Sequence, residues 1–247
     1  MAKRKVLLLF VSLVAILLLG TTTAFAATIL LYDNMGYYPS GACYADGQIF
    51  GNFQDIFNGY GSSCIVQYGN AKLLDLKPKA STSPGETHAA LTTTNASFSN
   101  NYTIIAQYAT LRQLRTGSAP NPWEVGWLLW NYTDNNHFYN LVLRPNGWEI
   151  DKEYVDNNGV QSQQYLATGS NYTFPILHWY YPQVIQTVNN GIPTFTVKVF
   201  IGNGFQTLAT VTDNGTSVSG KAYTSGKIGF YDEDSETWFG GLYVTAP

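Results

Sequence analysis

Beyond its first 27 residues the chain breaks into short stretches that alternate polar with apolar residues or are β-branched and aromatic, each bounded by Gly, Pro or Asn. Twelve of them follow the central part of the chain: 72–76, 89–94, 102–114, 123–132, 136–144, 148–155, 163–167, 179–189, 194–201, 205–212, 226–231 and 237–244. A period of two sends successive side chains to opposite faces of a sheet, and no stretch sustains the 3.6-residue apolar period of a helix. The chain therefore reads as all-β. Two packed antiparallel sheets are the natural way to bury this many strands. Residues 28–247 fit one such domain, since no Pro/Ser-rich linker, charge run or repeat divides them. Residues 33–64, rich in Gly, Tyr and Asn, read as loops with short strands.

The first 27 residues do not belong to that pattern. Lys3, Arg4 and Lys5 precede an apolar run from 6 to 19, and Ala24-Phe25-Ala26 matches a small-residue cleavage site. The run is shorter than the roughly 20 residues a membrane span needs, so residues 1–27 read as a cleaved signal peptide rather than an anchor. No other stretch is apolar enough to enter a membrane, and a secreted, extracellular protein is expected. In an oxidising compartment Cys43 and Cys64, the only cysteines, would pair. Closing that loop of about 22 residues would stabilise the fold by about 3 kcal/mol. Asn95, Asn101, Asn131, Asn171 and Asn214 each begin an N-x-S/T sequon, the acceptor pattern of a glycoprotein.

Charge narrows the partners. Only 12% of residues are charged against about 25% in ordinary domains, while 45% are apolar and 15% aromatic. The formal net charge is -3, and losing Lys3, Arg4 and Lys5 leaves 10 basic (13 less 3) against 16 acidic residues. So few cations exclude a phosphate-tracking protein, and no nucleic-acid partner is expected. Two Cys and three His are too few for a zinc ribbon or an iron–sulfur site. A surface built on neutral polar groups predicts a protein that stays folded in acid.

One hairpin can be placed. In Pro145-Asn146-Gly147-Trp148, Asn-Gly stands between two strand patterns, a strong turn signal. A two-residue Asn-Gly loop sets Arg144 opposite Glu149, Val142 opposite Asp151 and Asn140 opposite Glu153. Leu141, Leu143 and Ile150 then mark the buried face, which Lys152 shares, while Glu149, Asp151 and Glu153 stand in a row on the other. Paired carboxylates on one surface are what glycoside hydrolysis uses: one protonates the leaving oxygen and another attacks the sugar or activates water. A solvated hairpin face with an Arg144–Glu149 ion pair accounts for the same residues.

The string Glu149-Ile150-Asp151-Lys152-Glu153 resembles the catalytic strand of glycoside hydrolase family 16. That resemblance implies Glu149 as nucleophile, Glu153 as acid/base, and Asp151 as the residue that sets their ionisation. Lys152 departs from it, standing where the family has a large apolar residue. A broader likeness runs through 78–88, 113–127, 136–148 and 225–231, and spans about 60–244. These stretches are similar to secreted bacterial β-sandwich proteins of the concanavalin A-like (laminin G-like) lectin/glucanase superfamily, labelled 3-keto-disaccharide hydrolase domain or family-16-like. The implied fold is a concanavalin-like jelly roll. Such sandwiches often hold one structural calcium ion, and Leu31-Tyr32-Asp33-Asn34 resembles the early ligand element, with Asp33 as ligand. The late carboxylate of that site is replaced here by Gly240, though Asp232, Glu233, Asp234 and Glu236 lie nearby in sequence.

Aromatic residues suggest a third kind of site. Trp123, Trp127, Trp130, Tyr132, His137, Tyr139 and Trp148 crowd into 26 residues. Sugars stack their C–H faces on flat rings flanked by polar groups, so Arg115, Glu124, Trp127, Trp130, His137, Tyr139, Arg144 and Trp148 are the candidate carbohydrate contacts. Trp127 and Trp130 cannot face the same way on a regular strand, so one of them points away from the core. The leading expectation is a secreted protein that binds a poly- or oligosaccharide on a polar-aromatic face. The alternatives are an extracellular hydrolase or lyase acting through Glu149, Asp151 and Glu153, and a structural surface or matrix protein. An aromatic-walled groove around the three carboxylates favours catalysis, a flat acidic face beside a Trp platform favours binding, and burial of every Trp favours the structural role.

Overall fold

The computed structural model describes residues 27–247, so the leader expected over 1–27 lies outside the described residues except for Ala27. Eighteen strands and no helix occur among the described residues: β1 (Thr28–Asp33), β2 (Cys43–Tyr44), β3 (Ile49–Phe50), β4 (Phe53–Phe57), β5 (Ser62–Tyr68), β6 (Ala71–Lys77), β7 (Ala89–Thr94), β8 (Phe98–Ser99), β9 (Tyr102–Gln113), β10 (Gly126–Asp134), β11 (His137–Arg144), β12 (Gly147–Val155), β13 (Gln161–Gly169), β14 (Pro182–Asn189), β15 (Ile192–Ile201), β16 (Gly204–Thr212), β17 (Ser225–Glu233) and β18 (Ser235–Ala246). They form two antiparallel sheets. Sheet A runs β16-β15-β14-β9-β18-β6-β5-β2, with β1 also on β18; sheet B runs β13-β12-β11-β10-β17-β7-β4-β3, with β8 also on β17. The expected loop-rich segment 33–64 contributes only short strands at the sheet edges, and a Cys43–Cys64 disulfide ties β2 to β5.

Alternation decides what each sheet buries. On β10, Leu128 and Trp130 point between the sheets, while Trp127 and Leu129 point to the outer face of sheet B. Trp130, Tyr139, Phe195, Phe230 and Phe239 fill the interior, with Trp130 5.4 Å from Phe195 and Phe230 4.5 Å from Phe239 between ring centroids. A second apolar cluster, including Leu91, Val125, Trp127, Leu129, Phe138 and Val142, covers part of the outer face of sheet B. That face is thus not a plain solvated surface.

The hairpin differs from the expected register by two residues. Arg144 pairs with Gly147, so Pro145-Asn146 form the turn, and Val142, Asn140 and Phe138 stand opposite Glu149, Asp151 and Glu153. Gly147 serves a close approach instead of the turn: a Cβ there would lie 2.3 Å from the Gly169 carbonyl oxygen of β13. A shift of two preserves the faces, whereas a shift of one would have exchanged them. Lys152 accordingly points into the core, fully buried, with Nζ 2.8 Å from Asp213 Oδ2 and 3.0 Å from each of the Gly220 and Lys221 carbonyl oxygens. The Tyr223 ring, 4.7 Å away, completes the shell around the ammonium.

Candidate functional site

The outer face of sheet B carries a groove of about 470 Å³, within the range of small-ligand sites. Its floor is the acid strand: Glu149 and Glu153 line it, and Asp151 lies between them on the same face. Trp127 and Tyr231, neighbours on β10 and β17 with ring centroids 4.8 Å apart, form one wall. Tyr165, Gln163 and Gln161 of β13 form the other, with Tyr165 directly opposite Asp151. Trp123 and Glu233 close one end, and Phe138 packs against the floor.

Burial controls the ionisation of these carboxyls. Glu149, Asp151 and Glu153 are 3%, 0% and 8% exposed, so desolvation disfavours their charged forms. Burial first, then the neighbouring Glu149 and Glu153, push Asp151 up to about 9 against the opposing charge of Arg144. Burial likewise carries Glu153 up to about 7 against a counteracting contact from Gln161. Glu233 reaches about 7 for the same first reason, with the Tyr231 hydroxyl, 3.1 Å away, opposing and Asp234 and Glu124 adding. Glu149 is also raised by burial, but Arg144 holds it down: Nη1 lies 2.6 Å from Glu149 Oε2, an ion pair without hydrogen-bond alignment. The Arg144–Glu149 contact expected from the hairpin therefore forms, diagonally and nearly buried.

Two residues buried on this face of the sheet, neither of which lines the groove, lack partners. Asp151 and Asn140 face each other across β11 and β12, both fully buried, and neither side chain makes a hydrogen bond within the protein. Gln163 approaches Asp151 from β13 but outside hydrogen-bond geometry.

The other candidate contacts lie elsewhere. Trp130, Tyr139 and Trp148 are buried between the sheets, where Tyr139 donates to Asp213 (2.7 Å) and Trp148 to Asn171 (2.9 Å). His137 sits at the β10–β11 turn against Asp134, with Nδ1 2.8 Å from Oδ1, on the opposite face of the sheet from the groove. Arg115 and Glu124 are buried as an ion pair that also takes in Asp234, whose Oδ2 is 2.8 Å from Arg115. Arg115 donates as well to the Ser83 and Glu86 carbonyls, at 2.7 and 3.0 Å. This cluster joins the 78–88 and 113–127 stretches and pins the loop that presents Trp123, so these two residues support the groove without lining it.

Asp33 is buried and accepts hydrogen bonds from the Met35 amide (2.8 Å), the Asn52 side chain (2.9 Å) and the Tyr38 hydroxyl. Among the described residues no three His, Cys, Asp or Glu side chains gather as a metal site. Of the acids near Gly240, Asp234 is bound by Arg115 and Glu236 by Arg112 and Lys77. The donor set around Asp33 thus does not fit the calcium site that the resemblance implied.

Sequence reasoning did not place Tyr165, Gln161, Gln163 or Tyr231 in the site. Their signal is alternation: Gln161, Gln163 and Tyr165 share one face of β13, and Tyr231 and Glu233 share one face of β17.

No family model and no curated protein matches the sequence. Among solved structures, the chain is similar to the carbohydrate-binding module CBM66 from Bacillus subtilis, with a TM-score of 0.50 and 11% identity over 79% of this chain and 96% of that one. It is also similar to Rv0315, a pseudo beta-1,3-glucanase of Mycobacterium tuberculosis (TM-score 0.49, 12% identity, 89% and 99% covered). A galectin-like protein of unknown function from Bacillus subtilis gives a TM-score of 0.48 and 12% identity over 87% and 98%. At such identities the likeness is one of fold alone: the chain is an all-β jelly-roll sandwich of two antiparallel sheets.

Proposed function

We propose that the chain is a secreted protein that binds a poly- or oligosaccharide in the groove on the outer face of sheet B. The observation that carries this reading is the ring of Trp123, Trp127, Tyr165 and Tyr231 around buried carboxyls in one open groove. Flat rings suit the C–H faces of a sugar, and the carboxyls of Glu149 and Glu153 with Gln161 and Gln163 suit its hydroxyls. The fold neighbour CBM66 is described as a carbohydrate-binding module, which agrees with this choice. Export is supported by the leader-like N-terminus and the Cys43–Cys64 disulfide. No helix among the described residues is long and apolar enough to cross a membrane.

The aromatic-walled groove around the acids, the arrangement that favours catalysis, and their unequal ionisation support a second reading, glycoside hydrolysis. Glu153, pushed up to about 7 chiefly by burial, keeps its proton well above the usual carboxyl range and has the character of a general acid. Glu149, paired with Arg144, has that of a nucleophile or base. A glycan array, followed by incubation with each hit and product analysis, tests both readings. Binding without cleavage removes the hydrolase, and binding to no glycan removes both.

A further inference from the structure

The groove runs along the strands and its two ends differ. Strand register gives its direction: Trp127 stands in line with Glu149 through Val142, and Gln163 stands directly beside Glu153. From Glu149 to Glu153 is four residues, about 13 Å of strand. Glu233 lies past the first residue of β10, since Gly126 pairs with Asp232, and Trp123 precedes that strand altogether. Among the described residues Trp123 is the only loop residue that lines the groove; all the others belong to strands of sheet B. One end is therefore walled by Trp123 and Glu233. The other runs out over Gln161 and Gln163, exposed residues at the start of β13, with no loop residue in the lining there.

The wall is built and not a loose flap. The Trp123 carbonyl accepts from the Trp127 indole nitrogen at 2.9 Å and from the Val125 amide at 2.8 Å. The residues next in sequence to Trp123 and Glu233, namely Glu124 and Asp234, are both held by the buried Arg115. Asn121 Nδ2, 2.8 Å from Glu124 Oε1, secures the start of the same loop. Within the wall the Trp123 side chain approaches Glu233, whose Oε2 accepts from the Tyr231 hydroxyl at 3.1 Å.

The geometry points to recognition of a chain terminus: the last ring of a linear saccharide seats against Trp123 and Glu233, and the chain leaves past Glu153 and Gln163 into solvent. This inference rests on the saccharide reading above. An internal segment needs two open ends, one for each continuing glycosidic bond, and this groove has one. A terminal ring carries a free hydroxyl in place of one of those bonds, and the Glu233 carboxyl stands at the wall to accept from it. Trp123 and Trp127 offer flat faces to the same ring. A volume of about 470 Å³ lies in the lower part of the range for pockets that enclose one small ligand, so it suits a short terminal segment. Under the hydrolase reading the same wall makes cleavage exo-acting, with short products released from chain ends.

Calorimetric titration of the intact secreted protein tests this with linear β-1,3- and β-1,4-glucans, mannans, xylans, chitin oligomers and fructans. Each series runs from the disaccharide to chains long enough to seat several copies of the protein. In the series that binds, stoichiometry should stay at one protein per chain at every length. Affinity per chain should level off at about three to four rings, with longer chains changing Kd by less than about twofold. Borohydride reduction, which opens the reducing-end ring, then separates the two termini: lost binding assigns the reducing end, retained binding the other. Several proteins per chain, with affinity per chain rising in proportion to length, overturns the chain-end inference and leaves the saccharide reading standing. Binding to no series and to no glycan on the array overturns both.

Discussion

Replacing Glu153 with Gln isolates the physical cost of the groove. The carboxyl is 8% exposed and pushed up to about 7 from an ordinary value of 4.5, chiefly by burial. Below pH 4.5 folded and unfolded chains both carry the proton, and the group costs nothing. Between 4.5 and 7 the unfolded chain ionises first, so stability falls as pH rises. Above 7 the folded protein bears the full penalty, about 3 kcal/mol at 1.36 kcal/mol per pH unit. Gln keeps the shape and an acceptor for Gln161 but cannot ionise. Glu153→Gln should therefore match the wild type at pH 4 and exceed it by about 3 kcal/mol at pH 8.5. In a domain of this size that corresponds to about 6–12 °C in Tm. Urea melts followed by far-UV circular dichroism at the two pH values measure it. If the variant is no more stable at pH 8.5, or gains as much at pH 4, burial does not govern this carboxyl. The wild type should itself lose stability from pH 4 to 8.5, since Asp55 and Asp75 (each raised to about 6), Glu233 and Asp151 share the sign. Acid tolerance is thus expected on different grounds from the sequence: these carboxyls are already disposed to be neutral.

Other perturbations separate groove from scaffold. Trp123→Ala removes a ring that is 40% exposed, so binding to an array-positive glycan should fall on the order of tenfold while Tm changes little, read by calorimetry and thermal melting. Asp213→Asn leaves the buried Lys152 ammonium without its counter-ion and should cost about 3–5 kcal/mol in urea melts, with part recovered in Lys152→Met/Asp213→Asn. Reduction of Cys43–Cys64 should lower stability by about 3 kcal/mol, measured by urea melts with and without reductant. Asn131 is fully buried, with Nδ2 2.8 Å from both Gln186 Oε1 and the Tyr223 carbonyl, so peptide mapping after expression in a glycosylating host should find that sequon unmodified.

The strands were legible because period-two alternation states which side chains share a face, and this held for β12 even though its register with β11 did not. The register was missed because Gly147 has two uses that look alike in sequence. Asn-Gly reads as a turn, yet the glycine is needed where Gly169 crosses close to it, a contact more than 20 residues away in the chain. The acids were legible as a row but not as a buried one. Their burial depends on the second apolar cluster and on Tyr165 and Tyr231, which reach the groove from strands far apart in sequence. Arg115 and Glu124 looked like sugar contacts because a local reading cannot see Asp234, which arrives from the β17–β18 turn.

The scarcity of charge becomes a sorting of charge once burial is known. Ten acidic side chains, of 16 in the chain, are buried among the described residues: Asp33, Asp55, Asp75, Glu124, Glu149, Asp151, Glu153, Asp213, Asp232 and Asp234. Those that support the scaffold have partners. Arg115 answers Glu124 and Asp234, Lys152 answers Asp213, and neutral donors serve Asp33, Asp55 and Asp232. Both fully enclosed cations are spent there, and a buried charge with a good partner is tolerable where an unpartnered one is not. Asp75 on β6 has an unpartnered oxygen of its own, but the acid strand gathers three buried carboxyls with only the half-buried Arg144 beside them, and Asp151 is unpaired on both oxygens. A purely structural sheet would gain stability by replacing Asp151 with an apolar residue, as its neighbours Val142 and Phe138 already are. That three buried carboxyls share one strand beneath an aromatic-walled groove is the strongest physical reason to place this protein's function there, and not in the buried aromatic core.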